Sequence, residues 1–290
     1  MSLIGVPIDS VGRGGGTEHG PAALRELGLR AALGGEDAGD LELRIRGHVR
    51  DPETGILASD DVLMATAAIR ATVAGLIGAG ARPFLAGGCC AELPGALAGA
   101  RDALGEVGLV HLDGHLDLYD GTTSPTGEAA DMPISVAFGL GPEAWVQAAG
   151  GASVAPERTV LVGFRDREES ISYGMRQPEE ISPAPLLCSV EQLRAVGPGE
   201  AATRIADAIG ERGRYWLHFD VDVLDRAVCP ATDYLSHGGI DWAELAAVLA
   251  PLLSSAELVG ASLACYNPEK DPGGACGEEL VRTVAFAVRS

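Results

Sequence analysis

The sequence predicts an α/β fold in which helices cover both faces of a mostly parallel central sheet. Short apolar runs alternate with longer amphipathic stretches, rich in alanine and leucine, along the 290 residues. This alternation is typical of β-α-β units, whose crossover helices bury both faces of a parallel sheet. Hydrophobic residues make up 47% of the chain but aromatic residues only 4%, so the core is expected to consist mainly of alanine, valine, leucine and isoleucine.

Short apolar runs with polar or glycine-containing flanks predict the strands. They are Ser2–Val6, Pro83–Ala86, Gly108–Leu112, Thr159–Gly163, Tyr215–Val223 and Leu258–Ala264. Helical spacing of apolar residues predicts the helices between and after them. These are Ala58–Gly78, Glu92–Leu104, Val190–Arg212, Trp242–Ser255 and a last helix in the segment "LVRTVAFAVRS".

Residues 1–290 are predicted to form a single domain. No Pro/Ser-rich linker, change of composition or internal repeat divides the chain. The segments Gly34–Gly55 and Asp120–Asp131 are expected to be loops inserted into that domain.

The charge balance is strongly acidic. Arginine and lysine number 21 against 41 aspartates and glutamates, which gives a net charge of -20. This charge repels phosphate backbones and anionic lipids, so neither a nucleic acid nor a membrane surface is expected as a partner. Six irregularly spaced cysteines do not form a secreted disulfide framework, and no basic apolar leader is seen. Apolar runs such as Ala65–Gly80 are interrupted by Arg70 and are expected to be too short for a bilayer. The expectation is a cytoplasmic enzyme with a small-molecule substrate.

Polar or sulfur-containing residues follow four of the predicted strands. Ligand sites of open parallel sheets lie beyond the carboxyl ends of the strands, so these residues are expected to meet there. The segments are Cys89-Cys90, Asp113-Gly114-His115-Leu116-Asp117, Asp220-Val221-Asp222-Val223-Leu224-Asp225 and Cys265-Tyr266-Asn267.

The two aspartate-rich segments predict a metal site. Asp113, His115 and Asp117 are spaced by two residues. Asp220 and Asp222 have the same spacing, and extended geometry through the strand ends would direct each set to one side of the sheet. Converging carboxylates repel one another and are costly to desolvate unless a cation neutralises them. Oxygen donors with one imidazole suit Mn²⁺. Strand-end caps or solvated loop residues would explain one such motif, but hardly two.

Several segments resemble motifs of the arginase/agmatinase (ureohydrolase) family, over most of the chain. The family's opening strand and first helix are similar to "IGVPIDS" and "GPAALRELGL". Its D-A-H-x-D and F-D-x-D-x-x-D-P-x-x-x-P-x-T motifs are similar to "DGHLDLYD" and "FDVDVLDRAVCPAT". Its G-x-R-D, E-V-N-P and G-G-D-H-S segments correspond to "GFRDREE", "SLACYNPEKD" and "AGGCCAE". The resemblance implies a three-layer αβα fold, two Mn²⁺ ions per chain and hydrolysis of a guanidino or amidino carbon–nitrogen bond.

The resemblance also implies roles for individual residues. The implied metal ligands are Cys90, Asp113, His115, Asp117, Asp220 and Asp222, with Asp113 and Asp220 bridging the two ions. Asp117 and His115 are the implied catalytic residues, and Asp117 would orient the nucleophilic water. The implied substrate-binding residues are Glu168, Asp166, Thr232 and Glu269, and Glu168 stands where arginases bind the substrate α-ammonium group.

Three positions depart from the family pattern. Cys90 replaces a histidine ligand, although a thiolate is a competent metal ligand. Ala130 falls where the family has a catalytic histidine, and Asp131 is the nearest titratable residue. Cys265 falls where a glutamate holds the guanidinium group, a contact that a thiol cannot supply. Acidic residues near Cys265 in sequence are Glu269, Glu278 and Glu279.

These departures predict a substrate less basic than an ordinary guanidine. Loss of a general acid or base costs about 10²–10⁴ in rate, so plain L-arginine is expected to be a poor substrate. Nω-hydroxy-L-arginine fits better, and the pattern resembles the branch of the family that hydrolyses it to hydroxyurea and L-ornithine in antibiotic biosynthesis. The alternatives are a conventional arginase, agmatinase or guanidinobutyrase, and an inactive protein that binds a guanidino ligand. No extra tail like that of some trimeric arginases follows the last helix, so a monomer is expected.

The pair Cys89-Cys90 can be interpreted as packed small residues, a redox pair or a metal-binding element. A vicinal disulfide would strain the backbone, and Cys90 stands at the family's ligand position whereas Cys89 replaces a residue that is not a ligand. We therefore expect Cys90 to bind metal and Cys89 to be a small buried residue. His111 and His218, two residues before the aspartate motifs, are expected to be packed supports.

Overall fold

A single sheet of eight parallel strands forms the centre of the computed structural model, which describes residues 1–10 and 14–290. The strands are β1 (Ser2–Val6), β2 (Asp37–Asp40), β3 (Pro83–Gly87), β4 (Gly108–Leu112), β5 (Thr159–Val162), β6 (Leu186–Cys188), β7 (Tyr215–Asp220) and β8 (Leu258–Ala264). Their spatial order is β2-β1-β3-β8-β7-β4-β5-β6. The predicted parallel α/β fold is thereby confirmed.

All six predicted strands are present, with changes of one to three residues at three of their carboxyl ends. The largest change is at β7, which ends at Asp220 because Val221–Val223 form a 3₁₀ turn. The sequence did not predict β2 and β6, which lie at the two edges of the sheet. The first is polar and contains a glycine, and the second has only three residues, so neither carries the pattern of a buried strand.

The helices are α1 (Gly20–Glu26), α2 (Leu29–Leu33), α3 (Ser59–Gly78), α4 (Leu93–Leu104), α5 (Pro133–Ala137), α6 (Glu143–Ala148), α7 (Arg167–Ser172), α8 (Val190–Val196), α9 (Pro198–Gly210), α10 (Trp242–Ser254) and α11 (Ala275–Arg289). The helix predicted over Val190–Arg212 is two helices. Gly197 has a φ of 98° and Pro198 lacks an amide hydrogen, so the first helix ends before this pair and the second begins at the proline.

Two buried clusters, one on each face of the sheet, complete three layers. Val110 and Leu112 of β4 pack with residues of α9, α10 and α11 on one face. Leu109 of the same strand packs with residues of α3, α4 and α6 on the other face. Each fully buried leucine or valine contributes about 1.5–3 kcal/mol to the free energy of unfolding relative to an exposed one. Because successive side chains of a strand point to opposite faces of the sheet, each strand stabilises both helix layers.

Helix α3 has 20 residues and a mean hydropathy of 1.4, so it is long and apolar enough to cross a membrane by length and composition alone. The expectation that this apolar run is too short is therefore wrong on length. In the structure the helix packs within the domain: the indole Nε1 of Trp145 donates to Thr66 Oγ1 at 2.7 Å, and Arg70 pairs with Asp102 of α4. It belongs to the helix layer on one face of the sheet, where Val62, Ile69 and Val73 are buried in the core.

Candidate metal centre

The strand order brings the four polar strand ends together. Strands β3, β8, β7 and β4 are neighbours in the sheet, and their carboxyl ends lead to Cys90, Cys265, Asp220 and Asp113 respectively. These residues line one cavity together with His115, Asp117 and Asp222. The predicted convergence is confirmed for all six implied metal ligands.

One part of the centre is built around Cys90. Its Sγ donates to Asp220 Oδ2 at 2.8 Å and lies 3.9 Å from Asp113 Oδ2. The Sγ of Cys265 lies 3.8 Å away. Both cysteines are free, as are the other cysteines of the described chain, so the structure contains no redox-paired form of Cys89 and Cys90.

The other part of the centre is built around His115. The Nδ1 of this ring lies 3.1 Å from Asp222 Oδ2 and 3.5 Å from Asp113 Oδ1. Asp113 thus faces both Cys90 and His115, which is the position a bridging carboxylate requires. Asp225, the last aspartate of its motif, is at the surface and accepts hydrogen bonds from Ala227 N and Gly238 N.

Turns, rather than continued strands, orient these side chains. Asp220 Oδ1 accepts from Asp222 N at 2.7 Å, and Asp113 Oδ1 accepts from His115 N at 2.7 Å. Asp117 has a φ of 52°, in the left-handed region. The prediction that extended geometry persists through the strand ends is therefore wrong. Each first aspartate instead forms a local turn with the residue two positions later, a common preference of aspartate.

Burial strongly perturbs the pKa values of the cluster. Burial, followed by neighbouring carboxylates, raises the pKa of Asp117 and Asp220 well above the ordinary value and also raises that of Asp113. Burial opposes ionisation of Asp222, but the adjacent charge of His115 lowers the pKa of Asp222 below its ordinary value. The metal-free centre therefore binds protons where a metal-bound centre would hold a cation.

The donor atoms fit a pair of divalent cations. The ligand atoms lie within 4.8 Å of one another in four groups of residues: Asp113 with His115 and Asp222, Cys90 with Asp220 and Cys265, Cys90 with Asp113 and His218, and His111 with Asp113 and Asp117. Asp117 Oδ2 is buried and has no hydrogen-bond partner. A buried, unpartnered carboxylate oxygen beside other acidic groups is what a cation site requires.

A buried histidine, His218, lies against Cys90. The Nε2 of His218 lies 3.2 Å from Cys90 Sγ, and its Nδ1 lies 2.7 Å from Ser262 Oγ. Ser262 Oγ also accepts from Trp216 Nε1 at 2.9 Å. The His218 ring stacks on His111 with centroids 5.3 Å apart. Both histidines are fully buried, as the sequence predicted for packed supports.

A cavity of about 420 Å³ lies over the centre and has a strongly acidic wall. Beyond the implied ligands, its carboxylates are Asp9, Glu128, Asp131, Asp166, Glu169 and Asp233. None of the described residues that line it is a lysine or an arginine. Hydroxyl groups of serine, threonine and tyrosine complete the wall, so the cavity suits a cationic ligand that also accepts hydrogen bonds.

Two of the four predicted substrate-binding residues line this cavity. Asp166 and Thr232 do so. Glu168 does not, and Glu169 takes its place, because α7 begins at Arg167 and directs Glu169 and Tyr173, one turn apart, to the cavity. Glu269 is also absent from the wall: its side chain is 59% exposed and pairs with His19 at 3.3 Å. Neither Glu278 nor Glu279 of α11 reaches the cavity.

Ala130 and Cys265, two of the positions that depart from the family pattern, both lie in the cavity wall. His115 is the one histidine among the described residues that line the cavity. Asp131 also lines it, but its Oδ2 already accepts from Ser124 and Thr126 hydroxyls, each at 2.6 Å.

Sequence reasoning missed Tyr234 and Glu128, which also line the cavity. The Tyr234 hydroxyl donates to Glu128 at 2.6 Å, and the Tyr234 ring meets His115 edge-on with centroids 6.3 Å apart. Both lie in loops far apart in the chain, so no local pattern could have paired them.

A model of the arginase family matches residues 1–289. The arginase of Brevibacillus brevis is 28% identical over 302 residues, covering 100% of this chain and 96% of that protein. The N(omega)-hydroxy-L-arginine amidinohydrolase of Streptomyces lavendulae is 34% identical over 164 residues, which cover 56% of this chain and 52% of that protein. The solved arginase of Bacillus caldovelox has a TM-score of 0.88 at 23% identity, covering 100% of this chain and 98% of the other. The proclavaminate amidino hydrolase of Streptomyces clavuligerus has a TM-score of 0.68 at 21% identity, covering 99% and 90%. The solved structures share the fold.

Proposed function

This chain belongs to the arginase family, and we propose that it hydrolyses Nω-hydroxy-L-arginine to hydroxyurea and L-ornithine. Arginase-family ureohydrolases are metal-dependent enzymes that act on guanidino compounds, and the choice of substrate within that class is the content of the proposal.

The observation that carries the proposal is the replacement of two functional groups beside an intact set of ligands. Ala130 and Cys265 line the cavity at the positions where the family resemblance implies a catalytic histidine and a guanidinium-binding glutamate. The implied ligands Asp113, His115, Asp117, Asp220 and Asp222 are all retained. A hydroxyguanidine is less basic than a guanidine, so its reaction depends less on both missing groups.

The implied ligands would hold two divalent ions, for which the oxygen-rich donor set favours Mn²⁺. Two such ions, when bound, would lower the pKa of a water molecule and so supply the nucleophile for the guanidino carbon. Asp117 would accept a hydrogen bond from that water, because its Oδ2 is buried, has no hydrogen-bond partner and lies 3.6 Å from His111 Nε2. The bond that breaks joins the guanidino carbon to the side-chain nitrogen. The oxygen of the water stays on that carbon, and a proton of the water goes to the nitrogen, which leaves as the amine of ornithine.

The acidic wall would bind the amino-acid part of the substrate. Asp166 and Glu169 face the cavity and would pair with its α-ammonium group, while Thr232 and neighbouring hydroxyls would donate to its carboxylate. Tyr234, held by Glu128, would cover the bound substrate and exclude water from the reacting carbon.

A conventional ureohydrolase is the second candidate. Similarity to the Brevibacillus brevis arginase extends over 100% of this chain, whereas similarity to the hydroxyarginine-specific relative covers 56% of it. None of the described residues in the cavity wall is a lysine or an arginine, which also suits agmatine because agmatine carries no carboxylate.

We further propose that the protein acts in the cytoplasm as a monomer.

Steady-state kinetics with Mn²⁺-loaded protein tests the proposal. The panel contains Nω-hydroxy-L-arginine, L-arginine, agmatine and guanidinobutyrate, with hydroxyurea, urea and ornithine as measured products. We expect kcat/KM to be highest for Nω-hydroxy-L-arginine. If L-arginine is turned over at least as fast, the conventional assignment replaces ours. Protein that retains two ions per chain but acts on none of the four would be a binding protein.

A further inference from the structure

We propose that Cys265 is an additional metal-ligating residue, which forms with Cys90 a two-thiolate pair that gives this half of the centre a preference for a softer divalent ion than Mn²⁺. The inference rests on the proposed dinuclear centre. It changes the expected ion at one of the two metal positions.

The separation of the two sulfurs is the first observation. Cys265 Sγ lies 3.8 Å from Cys90 Sγ. Two sulfurs bound at about 2.3 Å to one tetrahedral ion are themselves about 3.8 Å apart. Asp220 contributes the third ligand atom of this group, since its carboxylate oxygen lies within 4.8 Å of both sulfurs. The three donors thus surround a common point on the Cys90 side of the centre.

The backbone of Cys265 is the second observation. This residue has a φ of 68°, in the left-handed region that is unfavourable for a non-glycine residue. It follows β8 directly, and its amide donates to Gly88 O at 3.2 Å, in the segment that leads to Cys90. The described chain has only two other non-glycine residues with positive φ, and one of them is Asp117 of the same centre. Backbone strain of this kind is common at functional sites, where it directs a side chain.

Charge and softness supply the chemical argument. Asp113 and Asp220 already place two carboxylates around Cys90, and no described lysine or arginine lines the cavity. A second thiolate would add negative charge that only a bound cation can balance. Thiolates favour Zn²⁺ and Co²⁺ over Mn²⁺, whereas the half around His115, Asp113 and Asp222 has oxygen and nitrogen donors only. The two metal positions therefore differ in preference.

Spectroscopy of cobalt-loaded protein tests this inference without relying on activity. A thiolate bound to Co²⁺ gives a near-ultraviolet charge-transfer band whose intensity follows the number of bound thiolates. We expect Cys265→Ala and Cys265→Ser each to lose about half of the wild-type intensity per bound ion, and Cys90→Ala/Cys265→Ala to lose all of it. Cys188→Ala is the matched control, because Cys188 ends β6 at the far edge of the sheet. It should keep the full band.

Competition between ions gives the second readout. Wild-type protein is dialysed with equal concentrations of Zn²⁺ and Mn²⁺ under reducing conditions, and the metals are counted per chain. We expect one position to retain Zn²⁺, and Cys265→Ser to lower the Zn²⁺-to-Mn²⁺ ratio about tenfold. Thermal unfolding of each variant shows that it is folded.

The outcomes separate this inference from the proposed function. If wild-type protein binds two ions and hydrolyses a guanidino substrate, but Cys265→Ala and Cys265→Ser keep the full band and the same metal ratio, only the role of Cys265 is overturned. A Cys90–Cys265 disulfide in protein kept under reducing conditions overturns it as well. Wild-type protein that binds no metal contradicts both proposals.

Discussion

The Nε2 atom of His218 lies 3.2 Å from Sγ of Cys90, and the other ring nitrogen of His218 contacts the hydroxyl group of Ser262. Trp216 Nε1 is a donor only, and it occupies an acceptor site of Ser262 Oγ at 2.9 Å. The same hydroxyl oxygen lies 2.7 Å from His218 Nδ1. Because Cys90 Sγ donates its own hydrogen to Asp220 Oδ2, a His218 ring that carries its hydrogen on Nε2 can donate it to that sulfur.

Replacement of His218 tests this support. We expect His218→Phe to weaken binding of the ion next to Cys90 about 10–100-fold, as loss of a residue that orients a metal ligand does. His218→Gln retains an amide donor and should recover part of that loss. Isothermal titration with Co²⁺ measures both. Equal affinity in wild type and His218→Phe would show that the contact with Cys90 does not matter for metal binding.

Cys90 itself is expected to be required for a full complement of metal. Cys90→Ala should lower the bound metal to one ion per chain or fewer, and Cys90→His should restore it because imidazole is also a good ligand. Metal analysis after gel filtration provides the measurement. Cys89→Ala is the control, since Cys89 is buried beside the site but belongs to none of the candidate ligand groups. Unchanged metal in Cys90→Ala would exclude this residue as a ligand.

A histidine at position 130 is expected to increase activity on ordinary guanidines. Ala130 lines the cavity, so a histidine there would lie in the wall that faces the substrate. We expect Ala130→His to raise kcat for L-arginine by about 10²-fold, the lower end of the range for a general acid or base. The change for Nω-hydroxy-L-arginine should be smaller. A pH–rate profile with a new ionisation near neutrality would identify the histidine as its cause. A profile and rate identical to wild type would count against the assignment of this position.

Two adjacent glutamates on α7 should differ in their effect on substrate binding. Glu169→Gln removes a carboxylate from the cavity wall and is expected to raise KM for the amino-acid substrate about tenfold with little change in kcat. Glu168→Gln is the matched control, because it makes the same change one residue away at a position that does not line the cavity. A larger rise in KM for Glu168→Gln than for Glu169→Gln would instead support Glu168, the residue expected from the sequence.

Stability should depend on pH in opposite directions with and without metal. In the metal-free protein, burial raises the pKa of Asp117 and Asp220 above the unfolded value of about 4, so their contribution to the free energy of unfolding is lost as pH rises above that value. The lowered pKa of Asp222 has the reverse effect, but only as pH falls below about 4. Metal binding requires deprotonated ligands, so added Mn²⁺ should stabilise more at higher pH.

Thermal unfolding between pH 5.5 and 8 measures this effect. We expect Tm to fall with pH for the metal-free protein and to rise with pH for the metal-loaded one. Asp117→Asn should flatten the metal-free dependence, because it removes one of the titrating groups. Parallel curves with and without metal would contradict a centre made of these carboxylates.

Much of the site was predictable because its ligands lie in local motifs at strand ends. The spacing of Asp113, His115 and Asp117 after an apolar run indicated both the place and the chemistry. The choice between Glu168 and Glu169 was not predictable, because it depends on the residue at which α7 begins. Glu269 was misplaced for a similar reason: the chain turns after Cys265 and carries Glu269 to the surface, where it meets His19.

The sequence by itself determined the parallel α/β fold, the acidic character of the protein and the choice of candidate metal-binding side chains. Those properties follow from periodicity, composition and motifs within a few residues of one another. Only the tertiary structure decided that Cys265 approaches Cys90 and that His218 contacts Cys90. Both contacts join residues more than a hundred positions apart. They exist because β3, β8 and β7 are adjacent in the sheet, and strand order is set by packing of the whole domain rather than by any local segment.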